Sequence, residues 1–244
     1  MKRLSIALKN KRNAKILDIA TGVGNFISLI QELTDDYSSI LGIDTSVTAI
    51  ERATGNFQDS RITFQVMDIT EPGLYDNSFD IVCLSNSLHH LNDLPEILAE
   101  MKGLLKKDGT IIINEMYSDV EDEQQNTHVL LHHFWAEIDR MNGVCHNETY
   151  KRQEIVDILK EAYKSDSVDY WDLEQETLDG EDLSMNEEIK NQLKGTIDMS
   201  LKRIEGAADF NKLKDRGELL KKRIDDIGFK SAPQLILEVK LHLL

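Results

Sequence analysis

The chain has 244 residues, enough to bury a sizeable core as one large domain carrying insertions. Lys and Arg number 28 against 44 Asp and Glu, a formal net charge of -16 that opposes binding to a polyanion, and no basic cluster offsets it. The two cysteines, Cys83 in an apolar run and Cys145 in a polar one, suggest neither a disulfide framework nor a cysteine zinc site, and no stretch approaches the roughly 20 apolar residues of a membrane span. With no secretory-signal core at the amino end either, the expectation is a soluble, cytoplasmic protein.

Leu4, Ile6, Ala7 and Leu8 suit one short helical turn before the first strand. Ile16, Leu17 and Ile19 then form a brief apolar run of the kind a parallel strand buried on both faces requires. Ala20, Thr21, Gly22 and Gly24 follow as a small-residue turn, where the backbone can take positive φ and a ligand can approach closely. Phe26, Ile27, Leu29, Ile30 and Leu33 recur at helical spacing, so the turn sits between a strand's carboxyl end and a helix's amino end, where open α/β sheets bind ligands.

A second strand over residues 39–43 ends in Asp44, whose carboxylate can accept from a ribose diol. Thr45 and Ser46 offer an N-cap, and Val47, Ile50 and Ala53 a helical stripe running to about Asn56. A third strand, Ile62–Val66, leads to Asp68. Acids at three successive strand ends, Asp18, Asp44 and Asp68, suit a nucleoside bearing a cationic group. After a breaker at residues 71–73, residues 78–84 read as a buried fourth strand, followed by Ser85 and the pair His89 and His90.

Asn92 or Asp93 can cap a helix running through Leu105, and Lys106, Lys107, Asp108 and Gly109 form its basic, glycine-ended close. Residues 110–114 are the fifth strand, and by this point the alternation of strand and helix calls for a doubly wound parallel sheet. Beyond Glu115 the pattern changes. Residues 128–141 carry apolar side chains at helical spacing, residues 152–163 form an amphipathic helix and residues 167–173 suit a sixth strand. An acidic run at 174–188, two helices over 187–204 and 208–227, and a closing strand over 233–243 complete the chain.

Taken in order, these segments resemble the class I S-adenosylmethionine-dependent methyltransferases, especially small-molecule enzymes of the ubiquinone/menaquinone-methylase type. The likeness rests on Asp18-Ile19-Ala20-Thr21-Gly22-Val23-Gly24, on Gly42-Ile43-Asp44, on Asp68-Ile69, on Phe79-Asp80-Ile81-Val82 through His90-Leu91, and on the turn from Leu104 to Thr110. Ala20 departs from the family's usual glycine, and its single methyl is expected to have a modest effect. The resemblance implies an α/β, doubly wound, mostly parallel seven-stranded sheet, Rossmann-like, with helical insertions forming a cap. It also implies a single domain over 1–244, with a cap insertion after strand five at 117–150 and a helical insertion before the last strand at 174–226.

The cofactor so implied is S-adenosyl-L-methionine, giving S-adenosyl-L-homocysteine as product. On the same resemblance Asp18 would lie near its amino group, Gly22 and Gly24 would border its methionine part, Asp44 would hold the ribose hydroxyls, Asp68 and Ile69 would meet the adenine and Ser85 the sulfonium side, with Ala20 and Thr45 also among the implied cofactor-binding residues. Methyl transfer from a sulfonium is an in-line displacement that asks mainly for alignment and exclusion of water, with a proton acceptor only for a protonated nucleophile. His89, His90, Glu115, Tyr117, His128 and His132 are the candidates for that acceptor, and the sequence does not choose among them.

No metal is expected, because His128, His132 and His133 come without a Cys or His-Glu-x-x-His partner set. The implied partner is a small-molecule methyl acceptor; its identity, its accepting atom (O, N, C or S) and the oligomeric state are open. A non-catalytic S-adenosylmethionine-binding sensor or assembly protein keeps every motif above. An NAD-dependent oxidoreductase fits less well, since the bulky Ile27 stands where close pyrophosphate approach needs a small residue.

Overall fold

A computed structural model describes residues 2–70, 73–74, 76–164, 166–173 and 186–241. Parts of three sequence expectations lie outside these residues: 71–72 of the breaker, 174–185 of the acidic run and 242–243 of the closing strand. The described strands are β1 (Ala14–Ile19), β2 (Tyr37–Asp44), β3 (Ile62–Val66), β4 (Phe79–Ser85), β5 (Leu105–Met116), β6 (Ser167–Asp172) and β7 (Gln234–Lys240). They form one sheet in the order β3-β2-β1-β4-β5-β7-β6. β1 pairs in parallel with both β2 and β4, and β7 runs antiparallel between β5 and β6. The order reverses between β1 and β4, and that switch point is where such sheets open a ligand crevice at their carboxyl ends.

The eight helices of the described residues are α1 (Lys2–Lys9), α2 (Asn25–Leu33), α3 (Val47–Asn56), α4 (Leu94–Leu104), α5 (Glu123–Met141), α6 (Arg152–Ala162), α7 (Glu187–Lys202) and α8 (Phe210–Asp226). Side chains alternate across each strand, so the sheet feeds two separate cores. Leu4, Leu8, Ile27 and Ile30 of α1 and α2 pack with Ile16, Ile40 and Ile81 on one face. On the other, Leu98, Met101, Val156 and Leu159 of α4 and α6 pack with Leu17, Leu84 and Ile113. The Tyr163 hydroxyl, at the end of α6, donates to the Leu98 carbonyl at 2.7 Å and fixes α6 against α4. No helix of the described residues is long and apolar enough to cross a membrane.

Three local expectations change. The single turn near the amino end is a full helix, α1, because Leu4, Ala7 and Leu8 bury against α2 rather than ending at solvent. Residues 106–109 do not simply close α4. They belong to β5 and swing out of register between the Phe79–Leu105 and Ile81–Thr110 pairs, so the turn-like sequence makes a bulge within the strand. The first insertion's helix begins at Glu123, five residues earlier than its apolar periodicity shows, because Asp122 caps it by accepting from the Gln124 and Gln125 amides.

Helices α5, α7 and α8 build a third core of their own from Leu131, Phe134 and Ile138, Ile197 and Leu201, and Leu213, Leu220 and Ile224. Gly217 of α8 lets two of these helices close up: a Cβ there would stand 3.0 Å from Ile197 and 3.3 Å from Leu201. The apolar stripes of α7 and α8 are therefore satisfied by α5 and by each other.

Candidate active site

The turn after β1 is built by a chain of backbone constraints. The Thr21 amide donates to the Ile43 carbonyl at 2.9 Å, tying the turn to β2. Ala20, Gly22 and Gly24 all have positive φ, at 51°, 55° and 89°. For glycine that shape is free of strain, but an L-alanine in the left-handed region carries about 1–2 kcal/mol of it. The departure at Ala20 is thus a backbone matter, more than the added methyl the sequence implies.

The two glycines differ in use. A Cβ on Gly22 would meet nothing within 4 Å, so this residue opens onto free space. A Cβ on Gly24 would lie 2.5 Å from the Phe57 ring. Gly24 accordingly serves the packing of the turn on Phe57 and starts α2, and it is not among the residues that line the cavity.

That cavity, of about 840 Å³, lies at the carboxyl ends of β1, β2, β3 and β4 and is lined by Asp18, Ala20, Gly22, Asp44, Thr45, Asp68, Ile69 and Ser85. Eight of the nine cofactor residues read from the sequence thus converge on one space. Thr21, Asn86 and Ser87 line it as well; they fall inside the motif stretches 18–24 and 79–91, which do not single them out as site residues. Asn86 has a φ of 47° and its side-chain oxygen accepts from the Met116 amide at 3.1 Å, which pins the end of β4 to β5. Its place within the motif stretch 79–91 is the signal in the sequence that points to it.

The acids are differently held. Asp44 accepts from the Gly22 amide at 2.9 Å through one oxygen and from the Ser46 amide at 2.8 Å through the other, so its carboxylate is fixed beside the turn with lone pairs to spare. Asp68 accepts from the Thr70 amide and hydroxyl through Oδ1. Asp18 is buried; Oδ2 accepts from the Thr21 hydroxyl at 2.6 Å, whereas buried Oδ1 has no partner among the described residues. Burial, opposed by the Thr21 hydrogen bond and reinforced by the Asp44 charge, pushes its pKa up to about 7. An unsatisfied carboxylate oxygen in a cavity wall asks for a donor, and an ammonium group would also restore its ionised form.

The six proton-acceptor candidates divide: His89, His90, Glu115 and His132 lie together, whereas Tyr117 and His128 make other contacts. His90 alone among them lines the cavity. Glu115 is fully buried and already committed: Oε2 accepts from the amides of Ser87 and Leu88 at 3.1 and 2.9 Å, and Oε1 accepts from His89 Nδ1 at 2.5 Å. Tyr117 packs at the edge of the α4–α6 core, where burial and then the Asp172 charge raise its pKa, and His128 Nδ1 accepts from the Ala232 amide at 2.8 Å. Burial holds the His128 ring neutral, with a pKa lowered to about 4.

His132 completes the group of His89, His90 and Glu115. It faces His89, His90 and His146, with ring centroids 4.7 Å from His89 and 4.8 Å from His146. Burial and then the neighbouring imidazoles lower the pKa of His90 to about 4 and of His132 to about 2. The grouping of His128, His132 and His133 on which the no-metal expectation rested is therefore not the one the fold makes. His133 pairs with Thr149, whose hydroxyl lies 2.9 Å from Nε2, and only His132 joins the cluster.

Comparison with known proteins agrees with this geometry. A family model described as a methyltransferase domain matches residues 10–197. The chain belongs to the class I S-adenosylmethionine-dependent methyltransferases. Among curated relatives, the ubiquinone/menaquinone biosynthesis C-methyltransferase UbiE of Citrifermentans bemidjiense is 37% identical over 107 residues, 42% of this chain and 46% of that protein. The arsenite methyltransferase of Rattus norvegicus is 27% identical over 138 residues, 51% of this chain and 37% of that one. The chain thus spans about half or less of the length of these relatives. Among solved structures, the YcgJ protein from Bacillus subtilis superposes with a TM-score of 0.62 at 16% identity over 100% of this chain and 99% of that chain, a likeness of fold.

The methyltransferase's cofactor is S-adenosylmethionine, and the cavity residues fit it. The orphaned Asp18 Oδ1 answers its ammonium group, the open face of Gly22 leaves room for the methionine chain, and the braced Asp44 carboxylate suits a vicinal diol.

Proposed function

We propose that this methyltransferase moves the methyl group of S-adenosylmethionine onto a small molecule that enters the same cavity beside Ser85 and His90. The observation carrying this reading is the cavity's composition: its cofactor side comes from the strand ends, while Val144 and Cys145, from the loop between α5 and α6, line it too. The first insertion, 117–150, thus supplies wall residues, whereas no described residue of α7 or α8 does so. A volume of about 840 Å³ lies in the range of pockets that hold small ligands, and the chain's net charge of -16 disfavours a nucleic-acid acceptor.

When bound, the sulfonium supplies an activated methyl whose transfer neutralises its positive charge. The chain's own residues have the tasks of holding and shielding. Asp18 would hold the cofactor's ammonium group and Asp44 its ribose diol, and Asp68 with Ile69 would border the adenine. Ser85, whose Oγ accepts from the Asn114 side-chain amide at 2.9 Å, and Asn86 form a rigid floor at the end of β4. Alignment of donor and acceptor in such a site, with water displaced, accounts for most of what an in-line transfer requires. The loop bearing Val144 and Cys145 is the part positioned to discriminate acceptors.

The names of the relatives point to several accepting atoms, carbon in UbiE, nitrogen in the phosphoethanolamine N-methyltransferase of Triticum aestivum and arsenite in the rat enzyme. The acceptor is best found directly. Incubation with methyl-labelled S-adenosylmethionine and a cell extract, separated afterwards into small-molecule and macromolecular fractions, should place enzyme-dependent label in the small-molecule fraction. Label found only on protein or nucleic acid would contradict the reading.

A further inference from the structure

We propose that His89, His90, His132 and His146 form a binding site for one divalent transition-metal ion of the zinc type, which ties the first insertion to the end of the sheet. The four residues come from three separate segments: His89 and His90 from the single 3-10 turn that follows β4, His132 from α5, and His146 from the loop after it. One ring nitrogen from each lies within 4.8 Å of the others. Tetrahedral zinc–imidazole bonds of about 2.0–2.1 Å put the nitrogens about 3.4 Å apart, so closing the set around an ion takes side-chain adjustments of about 1 Å.

Hydrogen bonding on the outer side of the rings aims their lone pairs inward. His89 Nδ1–H donates to Glu115 Oε1 at 2.5 Å and His146 Nδ1–H donates to Asp139 Oδ2 at 2.7 Å, a pairing of imidazole with carboxylate that fixes the tautomer and leaves Nε2 as an acceptor. His90 Nδ1 lies 3.4 Å from the Cys145 carbonyl, which accepts from it in the same sense. Nε2 of His89, Nε2 of His146 and Nδ1 of His132 are all buried and without a hydrogen-bond partner among the described residues. His89 and His146 are 0% and 5% exposed, so water does not satisfy them from outside. The acceptor lone pairs of His89 and His146, buried beside the unpartnered His132 Nδ1 with no hydrogen bond to any of the three among the described residues, make a costly arrangement, and a cation with an affinity for imidazole resolves it.

The carboxylates are themselves held. Glu115 also accepts two backbone amides, and Asp139 pairs with Arg203 at 2.7 Å. The loop carrying His146 is anchored by the Asn147 amide, which donates to the His89 carbonyl at 2.8 Å, and by Arg140, which donates to the His146 carbonyl at 2.6 Å. Four nitrogen donors fill a tetrahedral shell, so the ion's task here is to clamp segments together rather than to bind the acceptor. Since His90 and Cys145 also line the cofactor cavity, the clamp sets the position of that wall.

The test uses the full chain purified without a histidine tag. Metal content is measured, the ion is stripped with a chelator, and Zn²⁺ alone is titrated back in competition with a chromophoric chelator at neutral pH. The expected result is one ion per chain, an affinity lowered at least 100-fold in His132→Ala and in His146→Ala, and lowered about 10–100-fold in Asp139→Asn. Co²⁺ in place of Zn²⁺ should give the intense visible bands of a tetrahedral site. Circular dichroism checks the fold of each variant. Should either alanine variant not fold, His90→Ala, at a partly exposed position, replaces it with the same expected loss. A folded, stripped protein that takes up none of Zn²⁺, Co²⁺ or Ni²⁺ stoichiometrically, or folded variants that keep wild-type affinity, would overturn the proposal. Neither result depends on cofactor binding or methyl transfer.

Discussion

Single residues around β1 carry strain and charge that the fold tolerates for the sake of its cavity. Ala20, at a φ of 51°, should be relieved by glycine. Relief of about 1–2 kcal/mol, less the glycine's entropic cost of about 0.5–1 kcal/mol, leaves Ala20→Gly more stable by up to about 1.5 kcal/mol in urea unfolding; a variant less stable than wild type would contradict the strain argument. Asp18 makes a second, electrostatic prediction. Burial pushes its pKa up to about 7 in the folded chain from an ordinary 3.8, so between those values the folded state holds a proton that the unfolded state has lost. This contribution to stability therefore falls as pH rises through that window. An ammonium-bearing ligand reverses the shift, and binding of S-adenosylhomocysteine at about pH 6 should release about one proton, read by calorimetry in buffers of different ionisation enthalpy. Asp18→Asn should release none, and equal release from both proteins would remove Asp18 from the ammonium's site. Asp18, Asp44 and Asp68 were readable in the sequence because each stands at or near the carboxyl end of its strand. The grouping of His89 with His146 was not, since the two stand 57 positions apart and are brought together only by the folding of an insertion.

At the scale of elements, apolar periodicity found every described strand and most helix bounds, because period-2 and period-3.6 patterns are local properties. It missed where the insertion's helices go. Leu193, Ile197, Leu201 and Ile204 announce a surface to be covered without saying which one, and the open cavity was the expected answer. The structure has α7 and α8 packing on α5, with Phe134 fully buried between them. Removing that ring should cost about 3–5 kcal/mol, so Phe134→Ala should lower stability by that amount in urea unfolding. S-adenosylhomocysteine affinity should stay close to wild type in the folded variant, because no described residue of α7 or α8 lines the cavity. A loss below about 1 kcal/mol would show that the three helices do not form a shared core. Residues 106–109 make the complementary point. Basic residues and a glycine after a helix are sound closing signals, yet β-pairing with β4 and β7 outweighs them and draws the segment into β5 as a bulge.

For the whole molecule, the doubly wound sheet positions acids and glycines at its switch point, and the first insertion brings a second set of residues to the far side of the same cavity. The central claim is that this cavity holds S-adenosylmethionine through the turn after β1. Gly22 is where that claim is most exposed, since it has a φ of 55°, faces open space and donates its amide to Asp44. An aspartate there would fill the methionine channel and set a like charge beside Asp44. Titration calorimetry of S-adenosylhomocysteine into wild type and into folded Gly22→Asp decides the matter. The account predicts one molecule bound per wild-type chain and no measurable binding to the variant. A wild-type protein that binds neither S-adenosylmethionine nor S-adenosylhomocysteine, or a variant that binds as well as wild type, would contradict it.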